Sequence, residues 1–156
     1  MTLEEKRRAK HPDTEYFHYY NANPKNKVTS DCVIRAVCTV LGKPYEEVVV
    51  EMAQLQAKTG HDCRCNMGIS KYMEMQGWTK LKQPRKDDNT KYTGKEFCQT
   101  LLHPIYSEEL NLPDCEMNRV LANIGGHHIV AIMSGQIWDI WNSTEGSIGN
   151  IWVKLA

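Results

Sequence analysis

The chain has 156 residues, 41% of them hydrophobic, with 19 basic and 19 acidic side chains and a formal net charge of zero. That length suits one domain with a core needing no disulfide staples, and the balanced charge gives no support for nucleic-acid or membrane binding. A charged N-terminal stretch without an apolar leader, and no apolar run long enough to span a bilayer, predict a cytoplasmic protein whose six cysteines are reduced thiols.

Residues 1–15 read as a charged N-terminal arm, and 16–156 as the single domain. Tyr16 to Tyr20 has strand composition and enough apolar area to dock on the domain. Residues 21–27, NANPKNK, form a turn-rich loop. Thr29 to Gly42, TSDCVIRAVCTVLG, predicts a buried helix: Asp31 is a good N-cap, Gly42 suits the left-handed stop, and Val33, Ile34, Val37, Val40 and Leu41 recur at helical spacing. Cys32 then lies in the first turn, at the positive end of the helix dipole, where a thiol ionises more readily. Cys38, in the same helix, reads as a small core hydrophobe.

A second helix follows from Pro44 to Gly60, packed on the first through a linker of two residues. His61-Asp62-Cys63-Arg64-Cys65 is the most metal-like cluster. Its Cys-x-Cys spacing is shorter than a zinc knuckle and no second pair follows at a standard interval, so neither metal nor cofactor is expected; Cys98 and His103 would be the remaining ligands of a four-ligand site. A short helix is expected from Gly68 to Gln76, then a polar loop from Lys80 to Lys95. Thr93 and Glu96 form a capping box for a helix through Leu102. Residues 103–113 look like an excursion, and MNRVLANI, ending at Ile124, reads as a helix end or a strand, with strand preferred.

The C-terminal part is a β-hairpin, His128 to Met133 and Gln136 to Trp141, turning at Ser134-Gly135, with a third strand from Ile151 to Leu155. In that register His128 stands opposite Trp141, with Asp139 as its diagonal neighbour on the same face. Asp139 could orient the imidazole while His128 takes the Cys32 proton, giving a thiolate–imidazolium pair. His127 is the competitor: it faces Asn142 on the other side, and a one-residue slip would exchange the two pairs.

Cys32 opening a buried helix, His128 opening a strand and Asp139 on the next strand together resemble the papain-like cysteine peptidases. Asp31-Cys32-Val-Ile-Arg-Ala36 with His128 and Ile137-Trp-Asp-Ile-Trp-Asn142 is similar to small papain-like proteins of bacterial and phage genomes. The resemblance implies an α+β papain-like fold, its helical half packed on an antiparallel sheet. It also implies Cys32 as nucleophile, His128 as base, Asp139 as orienting group and Trp141 as a shield against water. Asn142-Ser143 is a second counterpart of the orienting step. Where papain relatives carry an oxyanion glutamine this chain has Asn26, with Asn23 as the alternative. The implied activity is hydrolysis of an amide or isopeptide bond in a peptide or protein substrate through a thioester. Two alternatives are a Cys-His-Asp acyltransferase of transglutaminase type and a papain-like scaffold that only binds.

Overall fold

The computed structural model describes residues 1–103 and 108–156. Five α-helices and a six-stranded mixed sheet make up an α+β fold among the described residues. The helices are α1 (Leu3–Lys10), α2 (Cys32–Leu41), α3 (Tyr45–Thr59), α4 (Asn66–Met75) and α5 (Gly94–Leu102). The strands are β1 (Phe17–Tyr19), β2 (Trp78–Leu81), β3 (Arg119–Ile124), β4 (His128–Met133), β5 (Gln136–Asp139) and β6 (Ile148–Lys154), in spatial order β1-β5-β4-β3-β6-β2. Among the described residues, only the β1–β5 pair is parallel.

Period-two alternation along the strands sorts the core into two layers. Leu121, Ile129, Ala131 and Trp152 pack beneath α2, α3 and α4 with Val37, Val40, Val48, Met52, Ile69 and Tyr72. Val120, Ala122, Val130, Ile132 and Ile137 face the other way, toward Phe97 and Cys98 of α5 and the N-terminal Phe17 and Tyr19. The helix carrying Cys32 therefore lies directly on the central hairpin. Gly42 ends α2 at φ 66°, its amide bonding the Cys38 and Thr39 carbonyls. Arg119 reaches from β3 to the Val40 carbonyl at 3.0 Å, placing a cation at the negative end of the same helix.

Several expected elements form as read: the strand at Phe17–Tyr19, the α5 capping box, β3 as a strand, and the hairpin with Met133 opposite Gln136. Others need correction. The charged N-terminal arm contains a capped helix, α1, with no buried side chain. The polar stretch from Lys80 begins inside β2, whose four residues pair with β6. Val48, Val49, Met52 and Leu55 recur at helical spacing and predict one inner face for α3, but Val49 is 39% exposed while Val48 and Met52 are buried. Part of the excursion over 103–113 falls on residues 104–107, outside the described residues; beyond them Glu108–Leu110 makes one 3₁₀ turn that buries Leu110.

The loop before α4 is pressed against Gly68, where an added Cβ would lie 2.2 Å from the Asp62 carbonyl oxygen and 3.0 Å from the Cys63 Cα. Both are backbone atoms and cannot step aside. Gly68→Ala is expected to cost about 1–3 kcal/mol, seen as a lower urea midpoint with an unchanged slope.

Candidate active site

Cys32 is the first residue of α2, but Asp31 does not cap the helix with its side chain. Its carboxylate is committed elsewhere, accepting from Arg35 Nε at 2.8 Å, Tyr45 Oη at 2.7 Å and Asn23 Nδ2 at 3.0 Å. With no side-chain cap, the first amides of α2, those of Cys32 and Val33 among them, remain donors pointing out of the helix end. A helix start of this kind favours negative charge.

His128 opens β4, and its Nε2 lies 2.5 Å from Asp139 Oδ2 at the end of β5. The contact follows from the hairpin register: Ala131 faces Trp138, so one step outward Val130 comes level with Asp139, and His128, two residues from Val130 on the same face, is its diagonal neighbour. His128 and Cys32 line the same cleft, and each favours the charged form of the other. One imidazole thus couples thiol and carboxylate, with Nε2 engaged by Asp139. The Trp141 ring covers it, centroids 4.9 Å apart.

The electrostatics of the three groups agree. Burial opposes ionisation of Cys32, but the hydrogen bond with His128, the Ile129 backbone amide, and the charges of His128 and Arg35 together hold its pKa below the ordinary thiol value. For His128 burial likewise disfavours the charged form, yet the bonds to Asp139 and Cys32 raise it to about 9. The remaining shifted cysteines go the other way: burial pushes Cys63 and Cys115 up, Cys38 to about 11 and Cys98 to about 12.

Arg35, which sequence reasoning passed over, joins the site from below. It is 5% exposed, and besides Asp31 it bonds the second oxygen of Asp139 through Nη1 at 2.5 Å. Asp139 therefore bridges a guanidinium and an imidazole, and its 3% exposure is compatible with charge because both oxygens are occupied. The available signal was an Asp31-Arg35 pair at i,i+4 with its arginine on an otherwise apolar helix face.

The other expected residues are not brought to the thiol. Asn26 is exposed, at φ 53°, and lines a neighbouring cleft with residues of α1. Asn23 is buried, but its amide is bound to Asp31 and its carbonyl accepts from Lys25. Asn142 closes a local turn by accepting from the Thr144 amide and hydroxyl, and its own amide donates to His11. His127 lines the cleft over Cys32, exposed in the turn before β4, and does not pair with Asn142. Cys65, from the metal-like cluster, is the N-cap of α4, and Asp62 is held in a fork by Arg64. Among the described residues no group of three His, Cys, Asp or Glu side chains is set to hold a metal ion.

The cleft above Cys32 encloses about 390 Å³, walled by α1, the α2 N-terminus, His127, His128 and Trp141. A roomier one of about 520 Å³ lies beside α5, lined by Tyr92, Glu96 and their neighbours, without a nucleophilic thiol. Size favours the second and chemistry the first, and the reactive groups decide. Among the described residues no helix is long and apolar enough to cross a membrane. No family model, curated protein or solved structure matches the chain.

Proposed function

We propose that the chain is a papain-like thiol hydrolase, cleaving an amide or isopeptide bond of a peptide or protein substrate in the cytoplasm without a cofactor. The observation carrying this reading is the single imidazole of His128, bonded to Asp139 through Nε2 and lining one cleft with Cys32, whose ionisation it favours. The Cys32 thiolate attacks the carbonyl carbon, forming a C–S bond, while the carbonyl oxygen takes negative charge facing the free amides of α2. His128 gives its proton to the leaving amine as the C–N bond breaks. Water then attacks the thioester, His128 takes the proton, and the carboxylic acid leaves as Cys32 is regenerated.

The pKa directions define the pH window. Cys32, held low, supplies thiolate below the ordinary thiol range; His128, held high, keeps its proton until about pH 9. Hydrolysis is expected to rise as the thiolate forms and to fall again near pH 9. The test is the pH dependence of Cys32 alkylation by iodoacetamide, followed by mass spectrometry, with the other five cysteines as internal standards. Fast reaction of Cys32 alone below neutral pH supports the hydrolase. Reaction no faster than at Cys115 sinks it and favours the binding scaffold, which has one observation on its side: Asn26 lines a different cleft and the Asn23 amide is held by Asp31, so neither serves the oxyanion.

A further inference from the structure

The charges on the wall of the Cys32 cleft have one sign. Arg7, Arg64, His127 and His128 line it, with Arg35 at its floor, and no Asp or Glu is among the described lining residues. The nearby carboxylates are already spent. Asp139 is shared by Arg35 and His128, Asp31 by Arg35, Tyr45 and Asn23, and Asp62 is held by Arg64. The acidic side chains of α1, Glu4 and Glu5, face the neighbouring cleft instead.

Among the three arginines of the lining, Arg7 is the exception, since Arg35 and Arg64 each hold a carboxylate. It is half-buried, and among the described residues no carboxylate lies within ion-pair distance of it. Its helix is fixed all the same: Thr2 and Glu5 form a capping box, the Tyr19 hydroxyl donates to the Glu4 carbonyl, and Arg8 lies 4.6 Å over the Tyr19 ring. Arg8, next to it, has its own partner in Glu4. A guanidinium withdrawn from water without an anion costs desolvation energy that a carboxylate from outside would recover, in two parallel bonds.

Resting on the hydrolase reading, we infer that this cleft selects a substrate bearing a carboxylate beside the scissile bond, an acidic peptide, with Arg7 as its anchor. The carboxylate belongs either to an acidic side chain or to a chain terminus. Both present the same group to Arg7.

The test compares alkylation of Cys32 by iodoacetate, which is anionic, with alkylation by neutral iodoacetamide, in the intact chain. The rate ratio is expected to exceed that of a free thiol and to drop about fivefold in Arg7→Gln, the effect of one charge at contact distance in watery surroundings. Arg7→Lys restores the ratio. Lys10→Gln removes the same charge from the same helix away from the cleft, and leaves it unchanged. Added salt compresses the ratio. Protection of Cys32 from iodoacetamide by acetyl-Glu-Glu-Glu-amide assigns acidic side chains; protection by acetyl-Ala-Ala-Ala with a free carboxylate assigns the terminus. Fast iodoacetamide reaction with a ratio that Arg7→Gln does not move, or that Lys10→Gln moves equally, overturns the inference and leaves the hydrolase standing. Slow reaction of Cys32 with both reagents overturns the hydrolase itself.

Discussion

His128→Ala is expected to return Cys32 to the reactivity of an ordinary thiol. At pH 6 a thiol titrating near 8.5 is only about 0.3% ionised. Removing the imidazole also removes a hydrogen bond and a positive charge that lower the Cys32 pKa. The more basic thiolate is the better nucleophile and returns part of the loss, so iodoacetamide alkylation at pH 6 should fall on the order of 100-fold. Peptide hydrolysis should fall further, by about a thousandfold or more, because the leaving amine also loses its proton donor. The side chain is at a strand end and 17% exposed, so the fold should survive. A variant with an unchanged melting temperature and undiminished Cys32 reactivity would show that the histidine is a bystander.

Arg35→Met carries the second large effect, and acts on stability as well as chemistry. The substitution keeps much of the apolar volume but leaves Asp31 and Asp139 facing a space that held their common cation. Losing one partner of a buried ion pair typically costs about 3–5 kcal/mol, which in a chain of this size lowers the melting temperature by roughly 6–20 °C. A purely structural role would end there. Arg35 also competes with His128 for the Asp139 carboxylate, so without it that negative charge bears on the imidazolium alone. The His128 pKa should rise above about 9, and the alkaline limb of the hydrolysis profile should move up with it. An unmoved limb alongside a lowered melting temperature would confine Arg35 to holding the fold.

The hairpin was the most legible part of the chain. Ser134 and Gly135 occupy a two-residue turn at φ 50° and 71°, and such a turn leaves one pairing of the flanking strands; from it the His128–Asp139 contact follows by counting. Arg35 was not legible in the same way. Apolar periodicity marks which face of α2 is buried, but a buried arginine is explained only by partners, and Asp139 is 104 residues away. Asp31 was misread for a related reason: a good cap residue was drawn off by stronger partners, Arg35 and Tyr45. Asn26 was placed by a spacing carried over from papain relatives. The loop instead folds on itself, Asn21 bonding the Lys27 carbonyl and the Asn26 amide bonding that of Asn23, which turns Asn26 away. Short elements with little apolar pattern, α1 and β2, fell below what periodicity can detect.

The wide separation of Arg35 and Asp139 along the chain has a consequence during synthesis. A ribosome adding about 5–20 residues per second needs roughly 5–20 s to travel from one to the other. For most of that interval the nascent chain carries Cys32 without the imidazole, which is made only 11 residues before the carboxylate that orients it. On the proposed reading the thiol is therefore born dormant, and its chemistry would switch on only when the β4–β5 hairpin docks under α2. Products of premature termination would keep the cysteine and lose its reactivity.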